Sequence, residues 1–231
     1  MDSEPNVPIF NVQPPAAWEL YAYGLARTLI NFVNKTAWRV KIIGAEKLPE
    51  GPFILAPVHR SNLDTLLVAS VTKRRMRYMG KDGVWKYKLA GTVLSALGGF
   101  PVHRGIADRE AIRRCILVLA GGEPLVLFPE GTRKSGPVVD GLFEGAAYIA
   151  IKGRAPIVPV GIGGSERAWG RSKKLPRLTK VVLVIGDPIY PQVQAESGSN
   201  RVSRSSLGKL SSELGSSLQS CFDEAQAILG L

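Results

Sequence analysis

Apolar and polar positions alternate along this chain in two distinct periods. Trp18, Tyr21, Leu25, Leu29 and Phe32 recur at spacings of three and four, which predicts an amphipathic helix over residues 16–38. Short apolar runs predict buried strands at Val40 to Ile43, Phe53 to Val58, Pro124 to Phe128, Ile157 to Ile162 and Val181 to Ile185. Tyr78 to Lys81 and Phe100 to Arg104 read as two shorter extended segments. Helical periodicity returns after Asp64, running into Lys73 to Arg77, and again over Trp85 to Leu97, Asp108 to Leu119 and Phe143 to Lys152. It closes the chain over 202–229, where Leu207, Leu210, Leu214, Leu218, Phe222 and Ala225 share a face. Strands alternating with helices predict an α/β fold: one domain with a central, largely parallel sheet flanked by helices.

Three local signals refine this. The first two strands are joined by a turn at Pro49-Glu50-Gly51. Pro159 inside an apolar strand predicts a sheet edge or a bulge. Residues 1–15 are Pro-rich and polar and read as an extended arm, and a polar Ser/Gly/Gln stretch occupies 192–200. The expected organisation is an arm and amphipathic helix over 1–38, then one domain over 39–231. Two placements suit the first helix. Trp18, Trp38, Tyr21 and Tyr23 favour a bilayer interface, and a helix docked on the core satisfies the same spacing.

Composition narrows the partners. Thirty basic against nineteen acidic residues give a net charge of +11, which favours an anionic partner: a membrane, a phosphorylated substrate or a nucleic acid. The last is disfavoured, because there is no helix-turn-helix, zinc-finger or RNP-like signature and the charge is spread along the chain. Two cysteines make no disulfide framework. Two histidines among scattered acids make no metal-ligand set. Gly163-Gly164-Ser165-Glu166-Arg167 is no nucleophile elbow, so a serine hydrolase is disfavoured too. The longest uncharged stretch, Leu89 to Val102, is broken by Gly91, Gly98, Gly99 and Pro101 and is too short to span a bilayer. No basic leader precedes it, so a peripheral protein on the cytoplasmic face of the cell membrane is expected.

Candidate chemistry begins at His59-Arg60-Ser61-Asn62-Leu63-Asp64, between a strand and a helix. Imidazole titrates near neutrality and can take a proton, and a nearby carboxylate can orient it. A simpler description also holds, in which Asp64 or Asn62 caps the helix and His59 is a loop residue. A second candidate is Phe128-Pro129-Glu130-Gly131-Thr132-Arg133 at another strand end. There Gly131 permits close backbone approach, Arg133 can grip a phosphate, and Glu130 can accept from hydroxyls or orient the arginine.

These two stretches, together with Gly99 to Gly105 and Val158-Pro159-Val160, resemble in order and spacing the motif blocks of the glycerolipid acyltransferase family. That family includes bacterial 1-acyl-sn-glycerol-3-phosphate acyltransferases. The likeness covers roughly residues 38–190. His59 and Asp64 match its histidine–aspartate block, Arg104 the arginine of the second, and Phe128 to Arg133 all of the third. Lys81 matches a lysine between the first two. Val58 departs from a frequent asparagine, and Pro101 and His103 make the second block unusual. The resemblance implies acyl transfer from an acyl thioester, either acyl-CoA or acyl-carrier protein, to the free hydroxyl of a lysophosphatidic acid-type acceptor, with glycerol 3-phosphate, another lysophospholipid or a glycolipid as the alternative acceptors. It implies no other cofactor and no metal. His59 would be the base, oriented by Asp64, with Lys81, Arg104, Glu130, Gly131, Thr132 and Arg133 at the substrate.

Overall fold

The computed structural model describes residues 16–102, 109–192 and 202–231. The proposed arm over 1–15, Arg104 with its neighbour His103, and most of the 192–200 stretch therefore lie outside the described residues. Among those described, the chain runs α1 (Ala17–Ala37), β1 (Lys41–Ile43), β2 (Ile54–Pro57), α2 (Asp64–Val68), β3 (Arg77–Lys81), α3 (Lys88–Ala96) and β4 (Gly99–Val102). It continues through α4 (Arg109–Ala120), β5 (Leu125–Val126), α5 (Gly145–Gly153), β6 (Ile157–Gly163), α6 (Ser165–Trp169), β7 (Val182–Ile185) and α7 (Arg204–Ala227). The strands form one sheet in the order β1-β7-β6-β2-β5-β3-β4. From β6 to β4 all neighbours are parallel, and β7 with β1 runs the other way. The expected α/β class with a largely parallel sheet is what forms.

The parallel block puts the ends of β2, β3, β4, β5 and β6 on one edge of the sheet. His59, Lys81 and Glu130 all follow or end such strands, so chemistry collects where open α/β sheets usually place it. The opposite edge is closed by arginines. Arg74 donates to the carbonyls of Pro49, Gly51 and Gly122 at 3.1, 2.7 and 2.9 Å. Arg75 reaches Ser95 O at 2.9 Å, and Arg75 and Arg77 both pair with Glu123.

Several local expectations give way. β1 and β2 are not neighbours, because β1 pairs with β7 at the far edge while β2 lies between β6 and β5. The turn at Pro49 to Gly51 is thus a crossing, pinned by Arg74. The helix after Asp64 stops at Val68, well short of Lys73 to Arg77, whose arginines tie loops instead of capping a helix. The helix expected from Trp85 starts at Lys88, after a short 3-10 turn over Asp82–Val84.

Pro159 sits in a central, fully buried strand, not at an edge. Its backbone faces β7, where its carbonyl accepts from Gly186 N at 2.9 Å and Ile157 exchanges bonds with Ile189. The regular β6–β7 ladder begins only at Val160, so the missing N–H interrupts no paired register.

α7 packs its predicted apolar face onto β6, and glycines make the approach possible. A Cβ on Gly161 would stand 2.2 Å from the Cys221 carbonyl, and one on Gly163 2.5 Å from Ala225 O. Gly161→Ala must therefore push α7 outward. Overpacking of this kind costs typically about 1–3 kcal/mol, and urea unfolding monitored by circular dichroism should show a loss at or above that range.

Candidate active site

The site is built on the loop that leaves β2. His59 Nδ1 lies 2.9 Å from Asp64 Oδ2, with Asp64 wholly buried and the imidazole one-fifth exposed. The same carboxylate oxygen accepts the backbone N–H groups of Arg60 and Ser61, each at 2.7 Å. With three donors converging on it, Asp64 acts as an acceptor. Nδ1 then carries the proton and Nε2 keeps its lone pair. Asp64 caps no helix: its carboxylate folds back over the loop, and the residue preceding the helix, Leu63, makes no side-chain cap bond. The imidazole also stacks on Phe128, with centroids 4.1 Å apart, which fixes its second face.

Glu130 is placed differently from the sequence-based expectation. It is fully buried and touches no open space. Arg60 Nη1 donates to its Oε1 and Oε2 at 2.6 and 2.7 Å, and the His59 amide donates to Oε2 at 2.7 Å. Glu130 is therefore a positioning residue, and its cation is Arg60, not Arg133. Arg60 was passed over in the sequence. The one signal available was that a carboxylate beside an apolar strand end needs a cation as deeply buried. Arg60 further donates to Gly136 O and Val138 O and lies over the Phe222 ring of α7.

Around this centre, Ser61 Oγ and the Asn62 amide both donate to Trp169 O, at 2.9 and 3.1 Å, strapping the histidine loop to α6. Arg133 donates from Nη1 to Asn62 Oδ1 at the surface. Gly131 and Thr132 are exposed beside it. Gly131 has φ +65°, and a Cβ there would meet the Phe143 ring at 2.5 Å, so glycine is required on both counts. Lys81 ends β3, paired with Val102, and its strand position is all that is described.

Phe128, on which the imidazole stacks, lines with Pro129 and Gly131 a cavity of about 410 Å³. Its walls are mainly apolar and include Met79, Ile112, Cys115 and Ile149. No cluster of potential metal ligands occurs among the described residues.

Residues 39–163 match the sequence pattern of the Acyltransferase family. The chain belongs to this family. A 1-acyl-sn-glycerol-3-phosphate acyltransferase of Bacillus subtilis is 33% identical over 153 residues, covering 65% of this chain and 74% of that protein. The chloroplastic enzyme LPAT1 of Arabidopsis thaliana is 27% identical over 158 residues, 66% of this chain but only 44% of its own length. Among solved structures, the 1-acyl-sn-glycerophosphate (LPA) acyltransferase PlsC of Thermotoga maritima superposes with a TM-score of 0.65 at 21% identity, covering 88% of this chain and 86% of that one. The fold is shared with it.

The acyltransferase depends on its buried ion pair in a way that can be separated from chemistry. Arg60→Met strands Glu130 as an unpaired buried charge, which costs about 3–5 kcal/mol. Arg60→Met with Glu130→Leu removes both charges and should recover most of that stability in denaturant titration. Turnover should stay low in the double variant, because the His59 amide has lost its acceptor.

Proposed function

We propose that the enzyme transfers a fatty acyl group from an acyl thioester to the free hydroxyl of a lysophosphatidic acid-type acceptor in phospholipid synthesis. The observation that carries this reading is the His59–Asp64 dyad, whose imidazole stacks on Phe128, a wall residue of an apolar cavity. The names of the relatives point to the same acceptor.

A hydroxyl is a poor nucleophile until a base accepts its proton. His59 Nε2 takes that proton as the oxygen attacks the thioester carbonyl. Asp64 stabilises the imidazolium that forms. Collapse of the tetrahedral intermediate expels the thiolate, which recovers the proton from His59, so an ester and a free thiol result. The fatty chain lies in the cavity, where each buried methylene contributes about 0.8 kcal/mol. Arg133, with Lys81 and Arg104, holds the acceptor phosphate by charge-assisted hydrogen bonds.

His59→Ala should retain less than about a tenth of the activity, and Asp64→Asn should lower turnover by orders of magnitude, with both proteins folded. A product assay with radiolabelled acyl thioester and a panel of lysolipids reads both. Substantial transfer by folded His59→Ala would remove the general-base role.

The same reading places the enzyme on a membrane surface, and α1 supports it. Three of its polar residues face inward: Tyr23 Oη meets Arg74 O and Met76 N at 3.3 Å, Arg27 Nε reaches Thr72 O at 2.7 Å, and Asn34 Nδ2 reaches Leu66 O and Ser70 Oγ. Its apolar stripe faces outward, with Tyr21 74% and Phe32 65% exposed. Tyr87, Leu89 and Val93 of the neighbouring α3 are exposed as well. The helix is docked on the core through its polar residues, and the apolar stripe left exposed is the part we assign to a bilayer. Among the described residues, no helix is long and apolar enough to cross a membrane. The basic run Lys73 to Arg77 contributes less than its charge suggests, since Arg74, Arg75 and Arg77 bond inward at the sheet edge away from His59.

Binding to anionic liposomes should keep a salt-resistant part from this stripe. Leu25→Glu with Leu29→Glu should abolish that part in flotation at high salt without unfolding the protein. Flotation unchanged by these substitutions would take α1 off the membrane.

A further inference from the structure

A second cavity, of about 330 Å³, is lined by Arg60 of the histidine loop and by residues of α6 and α7, and it shares no lining residue with the apolar one. The apolar cavity meets the chain at the end of β5 and just after it, and this one at Ile162 of β6 and Gly164 just after it. Arg60 lines this second cavity from its buried position, and Ile162 and Phe222 contribute its apolar part. Arg167, Arg171 and Lys173 line it, with Glu166 as the one acidic side chain among the lining residues and the terminal residue Leu231 beside it. The charge of Arg60 is matched by Glu130, so the cavity carries excess positive charge from the α6 loop alone. From Arg167 to Lys180 the sequence holds six basic residues and no acid.

The loop that carries these cations is held in place. Lys173 Nζ closes α6 by donating to Glu166 O and Arg167 O, at 3.2 and 2.6 Å. Trp169 Nε1 donates to Lys173 O at 3.0 Å, and the Arg177 amide to Ala168 O at 2.7 Å. The Ser61 and Asn62 bonds to Trp169 O then tie it directly to the histidine loop. Arg167 and Arg171 remain exposed at the rim, with guanidinium groups suited to bidentate phosphate contacts.

We propose that this cavity binds the phosphate-bearing head of the acyl thioester donor. The inference rests on the acyl-transfer reading above. That reaction joins an apolar tail to an anionic head through one thioester carbonyl, which must lie at His59. An apolar cavity walled by Phe128, the ring stacked on His59, and a cationic one lined by Arg60, the next residue in the chain, match that division. Coenzyme A and the phosphopantetheine of a carrier protein both supply such a phosphate, and the two sources are separable by experiment.

The test is Arg167→Gln with Arg171→Gln, assayed in neutral mixed micelles so that surface charge is constant. The KM for acyl-CoA should rise about 10–100-fold, while that for the lysolipid changes less than about 2-fold. Calorimetric titration with free coenzyme A should show the same loss of affinity, and it reads the cavity without turnover. A shift confined to acyl-carrier protein would assign the phosphate to that donor. A shift in acceptor KM, no shift with either donor, or an effect seen only with anionic vesicles would overturn the proposal. Coenzyme A binding that is lost in the variant while the unaltered enzyme transfers no acyl group would overturn the acyl-transfer reading and leave the cavity assignment standing.

Discussion

Arg60 and Glu130 meet where water does not reach, and the site is arranged around that meeting. Taking two charges out of solvent is expensive, and their attraction repays it only when the remaining hydrogen-bonding capacity is filled. Here it is filled by the backbone of the site itself. The carbonyls of His59, Gly136 and Val138 take the other guanidinium protons, and the His59 amide takes the other demand on the carboxylate. The loops after β2 and β5 therefore cannot move apart without exposing a charge to apolar surroundings. Since the Phe222 ring lies under the guanidinium, the last helix joins the same arrangement. The imidazole inherits its position from this frame, and Asp64 then sets its orientation within it.

How much of this was legible in the sequence depends on the range of the interaction. His59 and Asp64 are five positions apart, and a strand end followed by a helix start is enough to bring them together. The apolar face of α7 was legible because it needs only a helical period and one surface to cover. Arg60 and Glu130 are seventy positions apart, and nothing local to either indicates its partner. Pro159 was legible in part: the one-residue offset between the Ile157–Ile189 and Val160–Ile185 pairs is the expected bulge, but the strand is central and not an edge. A strand proline is tolerated or not according to which neighbour its nitrogen faces, and that is a property of the sheet order. The helix after Asp64 was overextended because charges after it suited a helix end, whereas they serve carbonyls of loops distant in sequence.

The two edges of the sheet are specialised. At the edge away from His59, Arg74, Arg75 and Glu123 lock the entering loops together, and α1 adds Tyr23 and Arg27 to the same region. At the other edge the loops are longer and rich in groups that can meet a ligand. Fixing the entrances of the strands lets their exits differ without loosening the sheet, because the parallel register is already set from below.

The reversed polarity of α1 has a consequence for the isolated protein. An ordinary surface helix hides its apolar stripe in the core, so the folded molecule is self-sufficient in water. This helix hides asparagine and arginine instead and leaves Leu25, Leu29 and Phe32 outside. A contiguous apolar face in water drives association with whatever similar surface is nearest. In a concentrated, lipid-free solution that surface is another copy of the same chain. Oligomers seen under those conditions would then report the exposed stripe itself, and they should dissolve when detergent covers it.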